Sequence, residues 1–231
     1  MAEQPGRVER AVSSVLDNAS RLQAPAVEKY VWRLRRAHPE ESPQQIVTRL
    51  EKLFLGAVTS SGGAAGATAA IPGVGTVASI AAVGGETAFF LEAAALLTLA
   101  VASVHGISVT DHDRRKALVL AVALGDSGKE IVQRSLGRTG NVGKMLSAGI
   151  PGGANLSGLN KRLITKFVQK FAARRGAVML GTMLPAGIGA AVGGAGNRAL
   201  GKTVITNARE AFGPPPAAWP DAFAPPVEPP R

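Results

Sequence analysis

Two long stretches of this chain carry neither charge nor bulk. From Leu53 to Gly85 there is no Asp, Glu, Lys, Arg or His, and from Gly176 to Asn197 there is none again. Gly and Ala dominate both, and each holds one proline motif: Ile71-Pro72-Gly73-Val74-Gly75 in the first and Leu184-Pro185-Ala186-Gly187-Ile188-Gly189 in the second. Small residues at this density let helix backbones approach closely, a device used most in membranes. Proline breaks or kinks a helix by removing a donor and crowding the preceding turn. Each stretch is long enough to span a bilayer, yet Ala and Gly gain little from hydrocarbon, so the insertion signal is marginal. The residues are 46% hydrophobic but only 4% aromatic, so Ala, Val and Leu must build the core.

At 231 residues there is enough chain for one well-buried core or two small ones. Cysteine is absent, which excludes disulfides and thiolate metal sites and fits a reducing compartment. The opening Met1-Ala2-Glu3-Gln4-Pro5 begins a polar segment, not a basic start followed by an apolar run, so no cleavable secretory signal is expected.

The net charge of +10 is unevenly placed. Residues 1–130 hold thirteen basic and thirteen acidic side chains, whereas residues 131–209 hold twelve basic and no acidic ones. Soluble surfaces usually mix the two signs. A one-sign surface attracts anionic partners such as acidic lipid or nucleic acid.

The pattern predicts an all-α, compact multi-helix bundle with tightly packed Gly/Ala-rich central helices. Val27, Val31 and Leu34 recur at helical spacing after Pro25, and His38-Pro39 ends that run. Ser42-Pro43-Gln44-Gln45 is a helix start, with Ser as cap and Gln three residues on. Its helix runs through Ile46, Leu50, Leu53 and Phe54 into the small-residue stretch, where Gly62 and Gly66 lie one turn apart. A helix from about Thr76 to His105-Gly106 carries Phe89, Phe90, Leu91, Leu96 and Leu97, with Glu86 and Glu92 as its only charges. Thr110-Asp111-His112-Asp113 caps an apolar helix, Ala117 to Leu124. Residues 137–158 read as a flexible connector. Leu159, Leu163, Phe167 and Phe171 form a four-residue stripe among Lys and Arg. Gly176 to Asn197 and Gly201 to Phe212 complete the body. The expected division is a polar extension over residues 1–24, a helical domain over 25–213, and a disordered Pro-rich tail over 214–231.

In order, these motifs resemble the bacterial EcsC family: Val31 to Arg36, His38-Pro39, Ser42-Pro43, Ile71 to Gly75, Val104-His105-Gly106-Ile107, Arg114 to Leu118, Leu184 to Gly194, Asn197-Arg198 and Ala208 to Phe212. The resemblance covers about residues 25–213 and consists of Gly/Pro packing patterns. It implies a helical fold and a membrane neighbourhood, through association of such proteins with a transporter operon. It carries over no catalytic residue.

Few residues offer chemistry. His105, Asp111, His112 and Asp113 could converge across a turn, but no two histidines have metal-ligand spacing, and a cap with a solvated His is the preferred reading. No metal or other cofactor is expected. Glu86 and Glu92, six residues apart, face different ways on a helix. They are expected to serve as structural ion-pair partners of basic residues such as Arg114, Arg115 or Arg198, because buried carboxylates need partners. Gly196-Asn197-Arg198-Ala199-Leu200-Gly201-Lys202-Thr203 satisfies the string of a phosphate loop but lacks the preceding strand and following acid, so it reads as helix. The stripe helix carries Lys161, Arg162, Lys166, Lys170, Arg174 and Arg175, the candidate lipid-binding set.

The function expected from these features is non-enzymatic: a protein associated with the cytoplasmic membrane face or a membrane complex, with its basic C-terminal half on anionic lipid. Peripheral attachment is favoured over integral insertion. The alternatives are a soluble helical hydrolase with a site near His105, Asp111, His112 and Asp113, and an integral protein inserted through the two uncharged stretches. Missing stacking aromatics argue against nucleic acid, and no small-molecule ligand is indicated.

Overall fold

The computed structural model describes residues 10, 13, 14, 17, 24–69, 75–107, 111–137, 139–148, 155–182 and 188–220, with backbone alone at 24, 25, 62–69, 75–87, 171–182 and 188–193. Among these residues there are eight helices and no strand: α1 (Ala24–Ala37), α2 (Pro43–Ala69), α3 (Gly75–Val104), α4 (His112–Leu124), α5 (Asp126–Leu136), α6 (Val142–Ser147), α7 (Leu156–Thr182) and α8 (Ile188–Phe212).

Helix α4 lies at the centre, packed against α3, α5, α6, α7 and α8. Its residues Lys116 to Val122 and Leu124 are all buried. A helix apolar on every side belongs inside a core. Burial makes its ends demanding, because terminal N–H and C=O groups have no partner within the helix. At the start, Asp111 Oδ1 accepts from the Arg114 N–H at 2.9 Å. At the end, Lys170 Nζ reaches from α7 to the Leu124 carbonyl at 2.7 Å. Asn160, also on α7, donates to the Asp113 carbonyl at 3.0 Å. Asn160 and Lys170 are about 15 Å apart along one helix and Asp113 and Leu124 about 16 Å apart along the other, at 1.5 Å per residue. These two contacts therefore set α7 parallel to α4. Gly125 then turns the chain into α5 with φ 65°, where a side chain would also run into the Asn207 amide, 2.6 Å from a Cβ.

The most extensive helix pair is α2 with α8, which run antiparallel. Gly201 makes the close approach: a Cβ there would lie 2.9 Å from Val58 Cγ2 and 3.0 Å from Leu55 Cδ1. Four residues earlier, the buried Asn197 donates to the Val58 carbonyl at 3.0 Å. Eight residues later, Arg209 holds Glu51 with two hydrogen bonds of 2.8 and 2.5 Å.

The capping box expected at α2 is present and reciprocal: the Gln45 N–H donates to Ser42 Oγ at 3.3 Å, and the Ser42 N–H donates to Gln45 Oε1 at 2.7 Å. The connector expected over 137–158 contains α6, whose Val142, Met145 and Leu146 are buried. Apolar residues at that spacing outweigh the local Gly and Ser content. The first part of the Pro-rich tail lies on the body. Trp219 donates to the Glu41 carbonyl at 3.2 Å, and the Arg35 guanidinium stacks 4.8 Å from its ring centroid. Residues 221–231 lie outside the described set, as do the surroundings of Gly62, Gly66, Gly189 and Gly193, where close helix crossings are expected.

Gly201 allows that packing idea to be tested. Gly201→Leu would force the α2–α8 seam apart and should cost about 1–3 kcal/mol of unfolding free energy. Gly56→Leu, at a position with nothing within 4 Å of a Cβ, should change stability far less. Chemical denaturation of both variants checks the contrast, and equal midpoints would show that the seam tolerates bulk.

Candidate functional site: an apolar cleft and a basic helix

Helices α1, α2 and α3 leave a cleft of about 440 Å³ between them. Tyr30, Leu53, Phe89 and Leu96 are 41%, 53%, 41% and 41% exposed, the large exposed hydrophobics among the described residues. All four line this cleft. Single exposed apolar side chains are ordinary, whereas these four gather around one concavity. Below them, Val27, Leu50, Phe54 and Leu97 are buried and form the floor.

The sequence of α3 explains why the cleft exists. Phe89, Glu92, Ala93 and Leu96 follow the i, i+3, i+4, i+7 spacing of one helix face. Phe90, Leu91, Ala94 and Ala95 are buried on the other sides, with Phe90 edge-on to Phe54 at 6.2 Å between ring centroids. An apolar helix this long has more greasy faces than its neighbours cover, and the uncovered one forms a cleft wall.

Glu92 is the one charged residue among the described residues lining the cleft. It is half-buried and makes no hydrogen bond or salt bridge to a described residue. The side chain of Glu86 lies outside the described set. Among the described residues an ionic pin between helices joins Glu51 to Arg209. Glu51 is buried in the apolar ladder Val47, Glu51, Phe54, Val58. The Glu51 hydrogen bonds hold the Arg209 guanidinium above its already high pKa.

The four His and Asp residues whose convergence is the less favoured reading are engaged separately. His105 places Nδ1 2.8 Å from the Val101 carbonyl and Nε2 3.3 Å from the Gly213 carbonyl, and its ring packs on Phe212. Asp111 caps α4. Asp113 is exposed. His112 Nε2 donates to Asp17 Oδ1 at 3.0 Å. Among the described residues no three His, Asp or Glu side chains gather as a metal ion's ligands would. The phosphate-loop string is continuous helix inside α8, where Asn197 and Gly201 serve the α2 seam and Thr203 bonds back to the Ala199 carbonyl at 3.1 Å.

The basic helix α7 divides its charges. Leu159, Leu163 and Phe167 are buried, so the stripe faces the core. Lys161, Arg162 and Lys166 are exposed. Lys170 is half-buried and turned inward to cap α4. Its position was legible: seven residues after Leu163, it shares the stripe's own face. Arg174 and Arg175 have side chains outside the described set.

A further polar cluster joins the start of the chain to α4. Lys116, 8% exposed, donates to Asp17 Oδ1 at 2.8 Å and Ser13 Oγ at 2.7 Å. Partial burial acts to raise the Asp17 carboxyl, but hydrogen bonds from Lys116 and His112 and the Lys116 charge outweigh it and hold the pKa below the ordinary value. A depressed folded-state pKa adds stability above the unfolded value, near pH 3.9, and that stability fades as pH falls toward the folded value. Asp17→Asn should therefore lower the melting temperature at pH 6–7, with the gap to the wild type closing below about pH 4. A gap unchanged at pH 3 would show that the Asp17 charge is not what binds the segment.

Compared with models of protein families, with curated proteins and with solved structures, the chain matches none.

Proposed function

We propose that this is a non-enzymatic protein that attaches peripherally to the cytoplasmic face of a membrane, or to a complex within it, with its basic C-terminal half against anionic lipid. The observation that carries this reading is the division of labour on α7. Its apolar stripe is consumed by the core, so Lys161, Arg162 and Lys166 are left on the solvent side. They stand in a span, residues 131–209, that contains twelve basic residues and no Asp or Glu. Lys144, Arg198 and Lys202 are exposed in the same span. The resemblance of residues 25–213 to the EcsC family points to the same membrane neighbourhood. Among the described residues no helix is long and apolar enough to cross a membrane. The competing hydrolase reading draws no support from His105, whose two nitrogens face carbonyls, from Asp111, which caps a helix, or from His112, whose Nε2 holds Asp17.

Basic side chains at an anionic surface contribute roughly 1 kcal/mol each, screened over about 8 Å at physiological salt. Replacing Lys161, Arg162 and Lys166 together by Gln should weaken binding to phosphatidylglycerol-containing vesicles about 100-fold at low salt. Binding to phosphatidylcholine vesicles should change little. Lys170→Gln is the internal contrast: it should lower the melting temperature and leave vesicle affinity nearly unchanged. Co-sedimentation across a salt series reads both, and a triple variant that binds acidic vesicles like the wild type would remove α7 as the lipid contact.

A further inference from the structure

The α1–α2–α3 cleft is separate from the basic helix and has its own chemistry. Its volume of about 440 Å³ falls in the range of small-ligand sites. Its described walls are apolar save for the Tyr30 hydroxyl and the Glu92 carboxylate. Sites of this kind bind through apolar contact and choose their ligand through a few placed polar groups. Glu92 is such a group: half-buried, on the cleft-facing side of α3, and paired with no described residue.

We propose that the cleft binds a small molecule with an aliphatic or aromatic body and one ammonium group, the ammonium seated against Glu92. Charge complementarity decides the class. An anionic amphiphile such as a fatty acid would bring its carboxylate toward a carboxylate with no cation among the described lining residues to offset it. A neutral chain would fill the apolar volume but leave Glu92 partly desolvated and unpaired, which is costly. An ammonium satisfies the carboxylate with a charge-assisted hydrogen bond while its body covers Tyr30, Leu53, Phe89 and Leu96. This occupancy does not depend on the membrane reading, which concerns residues of α7.

Titration calorimetry of the full chain at pH 7 with monomeric octylamine, octanol and octanoate tests the assignment. Octylamine should bind roughly tenfold tighter than octanol, and octanoate should bind most weakly. Glu92→Gln should abolish the preference for octylamine over octanol, weakening octylamine and, with the desolvation cost of the charge removed, leaving octanol bound at least as tightly as on the wild type. Ala57→Phe, which fills the cleft from α2, should abolish binding of both. If Ala57→Phe fails to fold, loss of the amine preference in Glu92→Gln decides alone. The proposal is overturned if octanol matches octylamine on the wild type, if Glu92→Gln keeps the preference, if amine binding survives Ala57→Phe, or if no compound binds. Loss of vesicle binding in Ala57→Phe without any amine preference would assign the cleft to the bilayer and overturn it as well.

Discussion

A helix with no face for water must find partners for its polar ends inside the protein. That demand, made by α4, organises much of this structure. Its apolar run Ala117 to Val122 is wrapped on all sides. Its first turn is closed by Asp111, its last carbonyl is met by Lys170, and its buried Lys116 is neutralised by Asp17. Each device comes from a different place in the chain. Two of the contacts, from Asn160 and Lys170, sit on α7 in register with α4, so capping the central helix also fixes the direction of the helix it packs against most extensively. A lysine that looked like surface charge is thereby part of the interior.

The α2–α8 seam solves a different problem by a different route. Here the approach is close because Gly201 presents no side chain to Val58 and Leu55. Asn197 and the Glu51–Arg209 pair supply direction and register where small residues alone would let the helices slide. A partly exposed arginine holding a buried carboxylate avoids most of the desolvation cost of a fully buried pair. With α2 tied to α8 and α3 tied to α4, α1 covers only part of the remaining apolar surface of α3. The cleft is what remains uncovered.

Features written within a few residues of one another were readable from sequence. The Ser42–Gln45 box, the Asp111 cap, the break at His38-Pro39 and the buried stripe Leu159, Leu163, Phe167 all follow from spacing and side-chain chemistry. Features that depend on which helices become neighbours were not. Leu53 reads as core in α2, yet it stands half in solvent because its neighbour α1 covers too little. Glu51 sits on the same buried ladder as Val47, Phe54 and Val58, and a charge in that place is a signal that a partner must exist. Nothing local says that the partner is Arg209. Lys170 and Lys166 read alike in a list of basic residues; only the angle each makes with the stripe separates the inward one from the outward one. The cleft needs three helices at once, and no periodicity within one helix announces it.

The order in which a ribosome delivers this chain gives the seam a further meaning. Val58 accepts its bond from a residue 139 positions later, Glu51 from one 158 later, and Glu41 from Trp219, 178 later. At about 5–20 residues per second, the N-terminal helices wait on the order of ten to thirty seconds for those partners. During that interval α2 carries an exposed carboxylate on an otherwise greasy ladder, and α3 is without α8. Late-arriving contacts slow folding and lengthen exposure of sticky surface. Glu51, whose pairing looks like a stabilising detail in the finished molecule, is therefore also a charge that keeps the unfinished ladder of α2 from offering an unbroken apolar face to its neighbours on a crowded polysome.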